Sequence, residues 1–218
     1  MAIVPIKQIQ MSQQVAINET AVSSSELNQA SKKALRRDLI ARRLALTSEQ
    51  KQLRSEQLSQ ELLAWLAECV EQTATIAMYW AFKGEVDLQA LMDLWRAQGG
   101  KVLLPIVQAV NQPLAFAPYR GITSMQQGAY GILEPIYEED ELTFLPDMAA
   151  LISPCVGFNS AGYRLGYGGG YYDRTLAFWQ NEGLNLPVVL GVADQSAQVD
   201  FAVESFDRPM NFLALTDY

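Results

Sequence analysis

The chain contains no histidine. That absence removes Ser-His-Asp and Cys-His catalysis, every histidine-ligated zinc site and a histidine general base. Cysteine is nearly as scarce: Cys69 and Cys155 are the only two among 218 residues. Both lie in apolar sequence, which predicts buried free thiols in a reducing compartment rather than a disulfide framework. No apolar run approaches the roughly 20 residues of a membrane span. The N-terminus also lacks the basic start and apolar stretch of a secretory leader. A cytoplasmic protein without a membrane partner is the expectation. Its chemistry must run on carboxylates, Lys, Arg, Tyr, backbone amides or a hard metal held by oxygen.

What is present is ordinary in bulk and uneven in placement. Half of the residues are apolar and 18% are charged, as in a globular enzyme with one large core. Lys32, Lys33, Arg36, Arg37, Arg42, Arg43, Lys51 and Arg54 are eight of the sixteen basic residues, against only Asp38 and Glu49 in the same stretch. That stretch is therefore +6, and the rest must be −14 to reach the net −8. A general nucleic-acid binder is basic overall, so no nucleic-acid partner is expected. A cationic helix aimed at a small polyanion fits better. A solvated helix face is the other reading for most of these side chains, and Arg37 and Arg43 are assigned to it.

Residues 1–25 show no sustained period and read as a poorly ordered tail. Residues 26–218 read as one domain without linker or repeat. Leu27, Leu35, Leu39 and Leu46 mark a first helix, and Thr47-Ser48-Glu49 a break with a new N-cap. Leu58, Leu62, Trp65, Leu66 and Cys69 then share one helical face. After them strands and helices alternate: strands at 74–79, 101–107, 113–117, 149–153, 187–192 and 212–215, helices at 88–97 and 171–181, and an irregular stretch through 134–135. This order predicts an α/β fold with a mostly parallel sheet flanked by helices and N-terminal helices beside it. Ligands of such sheets bind beyond the carboxyl ends of the strands.

Gly157 to Gly170 holds six glycines in fourteen residues, after an expected strand and before an expected helix. Glycine lets backbone amides approach phosphate oxygens, and the helix N-terminus behind adds partial positive charge. Arg164 can hold a phosphate bidentately, and Asp173 can hold a magnesium ion. A dinucleotide fingerprint needs glycine where Tyr171 stands. A Walker A loop is excluded because Gly100-Lys101 is followed by Val102 and preceded by Trp95 at the first glycine's place. A tight glycine hairpin without ligand is the remaining structural reading.

The run Arg164-Leu165-Gly166-Tyr167-Gly168-Gly169-Gly170-Tyr171-Tyr172-Asp173-Arg174 closely resembles the signature of the 5-formyltetrahydrofolate cyclo-ligase family. Lys32-Lys33-Ala34-Leu35-Arg36 resembles its Lys-x-x-x-Arg element, Lys83-Gly84-Glu85-Val86-Asp87 its acidic element, and Gly131 to Pro135 a pocket-closing segment. The resemblance covers about residues 30–216. It implies a three-layer fold of the ribose-phosphate isomerase and CoA-transferase type. It also implies ATP-dependent closure of 5-formyltetrahydrofolate to 5,10-methenyltetrahydrofolate, with Mg²⁺ as cofactor, through a phosphorylated formyl group. A monomer acting on these two small molecules is expected.

Carried over by position, the resemblance assigns Lys32, Arg36, Arg164, Leu165, Gly166, Tyr167, Gly168, Gly169, Gly170, Tyr171 and Tyr172 to ATP, with Arg164 and Tyr171 catalytic. Asp173 and Asp207 would hold the metal, and Trp80, Glu85 and Tyr130 the folate. Taken alone, Trp80 also reads as a core aromatic and Glu85 as a solvated turn acid. The chain departs from the family pattern at Asn159, where aspartate is common, and at Ala202 and Phe206, where proline and histidine are usual. It is also shorter over 190–195. Another ATP-using enzyme on this scaffold, or a non-catalytic RNA-associated protein, are the competing classes.

Overall fold

The computed structural model describes residues 6–8 and 22–216. Most of the expected tail, residues 1–5 and 9–21, lies outside the described residues. In chain order the elements are β1 (Lys7–Gln8), α1 (Val22–Leu44), α2 (Ser48–Cys69), β2 (Thr75–Ala77), α3 (Gln89–Ala97), β3 (Lys101–Ile106), β4 (Ala115–Pro118), β5 (Met125–Gln127) and β6 (Leu133–Pro135). There follow β7 (Ala150–Pro154), β8 (Gly157–Phe158), β9 (Arg164–Leu165), α4 (Tyr171–Asn181), β10 (Val188–Asp194) and β11 (Phe212–Thr216).

The junction between α1 and α2 is set by local chemistry. The Thr47 hydroxyl accepts from Gln50 N at 3.1 Å and the Gln50 side chain accepts from Thr47 N at 2.9 Å, a reciprocal capping box. Along α2, Leu58, Leu62 and Leu66 are buried and Trp65 is half-buried. Cys69, expected inside with them, is exposed at the last turn, so only Cys155 is a buried thiol. Both are free.

Seven strands form one sheet in the order β1-β11-β10-β7-β2-β3-β4. The inner five run parallel, and β1 and β4 pair antiparallel at the two edges. Side chains alternate across a strand, and this alternation divides the core. Ile76, Ala150, Ile152, Leu190, Val192 and Ala214 pack with α2 and α3 on one face. Ala77, Leu151, Val189, Ala193, Leu213 and Leu215 pack with Leu176 and Trp179 of α4 on the other. Three layers result, as expected. The chain leaves β2 through α3 toward one edge and leaves β7 through α4 toward the other, on opposite faces. The carboxyl ends of β2 and β7 therefore diverge at a switch point, where a doubly covered sheet opens a crevice.

The hairpin β5–β6, inside the stretch expected to be irregular, and the short hairpin β8–β9 are additions that sequence periodicity did not reveal. Strands of two or three residues are too short to show a period.

The turn from α3 to β3 depends on Gly100. Trp95 is fully buried, its indole N–H donates to Ala74 O at 3.1 Å, and a Cβ on Gly100 would stand 2.1 Å from that nitrogen. Gly100→Ala should therefore cost about 1–3 kcal/mol by overpacking, measured as a lower urea midpoint with unchanged slope.

Candidate active site

A cleft of about 580 Å³ opens at this switch point. Tyr79 and Trp80 follow β2, Pro105 lies one residue before the end of β3, Pro154 ends β7, and Tyr130 comes from the β5–β6 hairpin. The far wall is the glycine-rich segment, contributing Arg164, Gly166, Tyr167, Gly169, Gly170, Tyr171, Tyr172 and Asp173. Trp80, Glu85 and Tyr130 are thus brought together with most of the loop assigned to ATP.

The loop begins as β8–β9, with Phe158 opposite Arg164. Asn159 closes its turn, its side-chain oxygen accepting from Ala161 N at 3.1 Å and Tyr163 N at 3.0 Å. A neutral amide serves that purpose, so the departure from aspartate leaves the turn intact. Arg164 is buried; it donates to Asp173 at 2.8 Å and to Arg208 O at 3.3 Å, and lies over the Tyr172 ring at 5.4 Å. Gly168 and Gly170 have φ of +99° and +63°, the left-handed region that favours glycine, and α4 starts immediately after. Gly166 differs: a Cβ there would meet nothing within 4 Å. Its lack of a side chain leaves room beside the cleft that packing does not require.

The cationic stretch, expected as one helix, spans α1 and the start of α2 and divides by depth. Lys32, Arg43 and Arg54 are buried, Arg36 is half-buried, and Lys33, Arg37 and Arg42 are exposed. Arg37 is solvated as expected; Arg43 is not. Its guanidinium donates to Lys83 O at 3.0 Å, to Cys155 O at 3.3 Å and to the Tyr167 hydroxyl. The spacing carried the signal, because Lys32, Arg36, Leu39 and Arg43 fall at i, i+4, i+7 and i+11, on the face that buries Leu39. Arg36 Nε donates to Gly166 O at 2.8 Å, and burial lowers its pKa against the pull of Glu204 and Asp207. Lys32 Nζ is 2.8 Å from Glu204 and 3.6 Å from Asp207. Leu165 turns its side chain into the cluster around Leu39, Val156 and Ala197, leaving only its backbone to the loop.

Glu85 is buried, not a solvated turn acid. Its Oε2 accepts from Phe82 N at 2.8 Å. Oε1 has no hydrogen-bonded partner among the described residues, with Arg43 Nη2 4.0 Å away. Burial pushes its pKa from 4.5 to about 7, against the pull of Arg43, the Phe82 N–H and the nearby Tyr167 hydroxyl. Across the mouth, the Tyr130 and Tyr171 hydroxyls are 2.9 Å apart. Tyr130 holds a φ of +59°, uncommon for a bulky residue.

Asp173 Oδ1 accepts from Arg164 at 2.8 Å and from Arg208 N at 3.0 Å. Burial raises the Asp173 pKa, Arg164 opposes it, and Asp207 adds to it. Two neighbouring carboxylates suit Mg²⁺, which takes one or two acids and completes its shell with water and phosphate. Among the described residues no cluster of three or more His, Cys, Asp or Glu forms a self-sufficient metal site.

A family model described as the 5-formyltetrahydrofolate cyclo-ligase family matches residues 28–215. A 5-formyltetrahydrofolate cyclo-ligase of Haemophilus influenzae is 33% identical over 186 residues, covering 84% of this chain and 97% of that protein. The Escherichia coli K12 protein of the same name is 37% identical over 172 residues, covering 78% and 91%. Among solved structures, a 5,10-methenyltetrahydrofolate synthetase from Aquifex aeolicus is 28% identical with a TM-score of 0.65, covering 84% of this chain and 89% of that one. One from Mycoplasma pneumoniae shares the fold, with a TM-score of 0.66 at 24% identity and coverage of 84% and 97%.

Glu85 holds its proton more tightly folded than unfolded, so the stability this contributes is complete below 4.5 and is lost as pH rises through about 7. Each pH unit between the two values corresponds to about 1.4 kcal/mol. Glu85→Gln, which stays neutral, should match the parent chain near pH 4.5 and exceed its stability at pH 8 by an amount on the order of 3 kcal/mol. Chemical denaturation at both pH values measures this, and equal stability at pH 8 would contradict the burial argument.

Proposed function

The chain belongs to the 5-formyltetrahydrofolate cyclo-ligase family, and from that premise we propose that its cleft closes 5-formyltetrahydrofolate to 5,10-methenyltetrahydrofolate, releasing ADP and phosphate from ATP. The observation that carries this is one cleft walled by both the glycine-rich loop and Glu85 with Trp80. An anion-binding wall therefore faces a wall suited to a flat, N–H-rich ring. Such a juxtaposition is what a reaction between a polyphosphate and a heterocycle requires.

In this reading the formyl oxygen of the substrate attacks the γ-phosphorus of ATP, and the bond to the bridging oxygen breaks to release ADP. N10 then attacks the activated carbon and gives up its proton, and the C–O bond breaks so that phosphate leaves, taking up the proton directly or through water, and the methenyl bridge remains. Phosphoryl transfer needs positioning and charge neutralisation more than a protein nucleophile, which suits a chain without histidine. The backbone from Leu165 to Gly170 wraps the phosphates. Lys32 and Arg36 supply positive charge from α1, and Arg164, Tyr171 and Tyr172 face the transferring group. The Arg164–Asp173 ion pair keeps both side chains in place until nucleotide arrives. Asp173 and Asp207 would hold Mg²⁺, which would supply charge neutralisation for the phosphates. Glu85 Oε1, buried and without a hydrogen-bonded partner, accepts from the pterin N–H edge, while Trp80 and Tyr130 cover the ring.

The enzyme acts as a cytoplasmic monomer in this reading, with a single domain that begins earlier than the expected residue 26, since α1 starts at Val22 and Lys7–Gln8 pairs with β11 at the sheet edge. No helix among the described residues is long and apolar enough to cross a membrane. Three of the buried or half-buried cations of the basic stretch, Lys32, Arg36 and Arg43, have partners within the fold. A nucleic-acid surface has correspondingly little to use, and no nucleic-acid partner is proposed.

The direct test is formation of methenyltetrahydrofolate, followed by absorbance, from 5-formyltetrahydrofolate and Mg-ATP; no product would overturn the reading. Asp173→Asn should abolish nearly all turnover, and full activity of that variant in excess chelator would remove Asp173 from the metal site. Two titrations separate the half-sites. Glu85→Gln should weaken 5-formyltetrahydrofolate and leave ATP affinity within about twofold, since a lost charged hydrogen bond is a local change worth about 1.5–3 kcal/mol. Gly166→Ala should weaken ATP without lowering stability, because the new methyl enters open space. The reverse pattern would exchange the two walls.

A further inference from the structure

We infer that Arg43 is a positioning residue that ties Glu85 to Tyr167, so that the folate wall and the nucleotide wall of the cleft keep one fixed spacing. The inference rests on the assignment of those walls above. Arg43 does not line the cleft. It stands behind it, in the last turn of α1, beside a void of about 20 Å³ shared with Cys155 and Asp194.

Its guanidinium reaches three segments that are distant in sequence. Nε donates to Lys83 O at 3.0 Å in the turn that carries Glu85. Nη1 donates to Cys155 O at 3.3 Å, just beyond β7. Nη2 donates to the Tyr167 hydroxyl in the glycine-rich loop and lies 4.0 Å from Glu85 Oε1. A planar fork of five donors can serve three acceptors at once, whereas an ammonium on a flexible stem cannot hold the same geometry.

The tie is closed from the other side as well. The Tyr167 hydroxyl donates to Phe82 O at 3.3 Å, and the Phe82 and Tyr167 rings lie 5.8 Å apart. The turn itself is seated on α1. Gly84 has a φ of +73°, and a Cβ there would lie 3.3 Å from Arg43 O. Arg54, from α2, donates to Gly84 O. Without Arg43, Tyr167 loses its donor and Glu85 loses the cation beside it. Tyr79, Tyr167, Tyr172 and Cys155 also feel the Glu85 charge, and all four are neutral acids raised mainly by burial; the Arg54 guanidinium, on the Gly84 carbonyl, is the next cation of the turn.

Arg43→Gln and Arg43→Lys test this, each alone and with Tyr167→Phe. If ionised Glu85 receives the pterin, 5-formyltetrahydrofolate affinity rises with pH through about 7 in the parent chain. Arg43→Gln should move that limb to higher pH by half a unit or more, and Arg43→Lys, which keeps the charge, should leave it in place. In kcat/KM, Arg43→Lys should lose at least tenfold, and adding Tyr167→Phe to it should cost less than a further twofold. A limb that stays in place in Arg43→Gln, or losses that multiply in the double variant, would overturn the inference. The titration of Glu85 can also be read without ligand. The pH at which the stability gained from Glu85→Gln levels off should be higher when Arg43→Gln is already present. That shift survives a wrong substrate assignment, so a failed tie and a failed functional reading give different results.

Discussion

The covering of a parallel sheet on both faces is the constraint on which the rest of this molecule depends. Apolar side chains from β2, β7, β10 and β11 alternate between two cores, one under α2 and α3 and one under α4. Neither face has room for chemistry, since a polar group inside would need a partner that the packing does not offer. Thr175 illustrates this: it is fully buried, accepts from Leu114 N at 2.9 Å and donates to Tyr171 O at 2.7 Å, both structural bonds. Chemistry is displaced to the carboxyl edge. There the chain diverges from β2 and β7 in opposite directions and leaves a crevice between them.

The electrostatics of that crevice follow from partial burial and the lack of histidine. Carboxylates and phenols are withdrawn from water far enough to raise their pKa, and guanidiniums stand beside them as partners. Burial raises Glu85 and Asp173, while Arg43 and Arg164 respectively oppose the shift. The two acids therefore sit in matched settings on opposite walls, each beside one arginine. Such a site gives up some stability for preorganisation, because a buried carboxylate with an unpaired oxygen is unfavourable until a donor arrives.

Much of the fold was legible because it rests on long-period patterns. The leucine face of α2, the break at Thr47, α3, α4 and every strand of four or more residues lie within a few residues of where apolar periodicity and turn chemistry put them. Two kinds of feature were not legible. Hairpins such as β8–β9 have two residues per strand and no period to detect. Cys69 keeps the helical spacing of the buried leucines but is exposed at the last turn, and spacing alone does not record which positions of a face another element covers.

At the site the division is similar. Glycine density, Arg164 and Asp173 mark, from residue types alone, the segment that walls the cleft, because backbone approach and charge are local properties. Depth is not local. Lys32, Arg36, Arg37 and Arg43 are one class of side chain in sequence, yet Arg37 meets solvent while Arg43 is sealed behind Tyr167 and Glu85. The sequence by itself determined which chemistry was available and on which segments it lay. Tertiary structure alone decided which cation faced solvent, which acid lost water, and which loops met across the crevice. Those outcomes depend on contacts between residues 40 to 124 positions apart, where only the packed chain sets distance and dielectric.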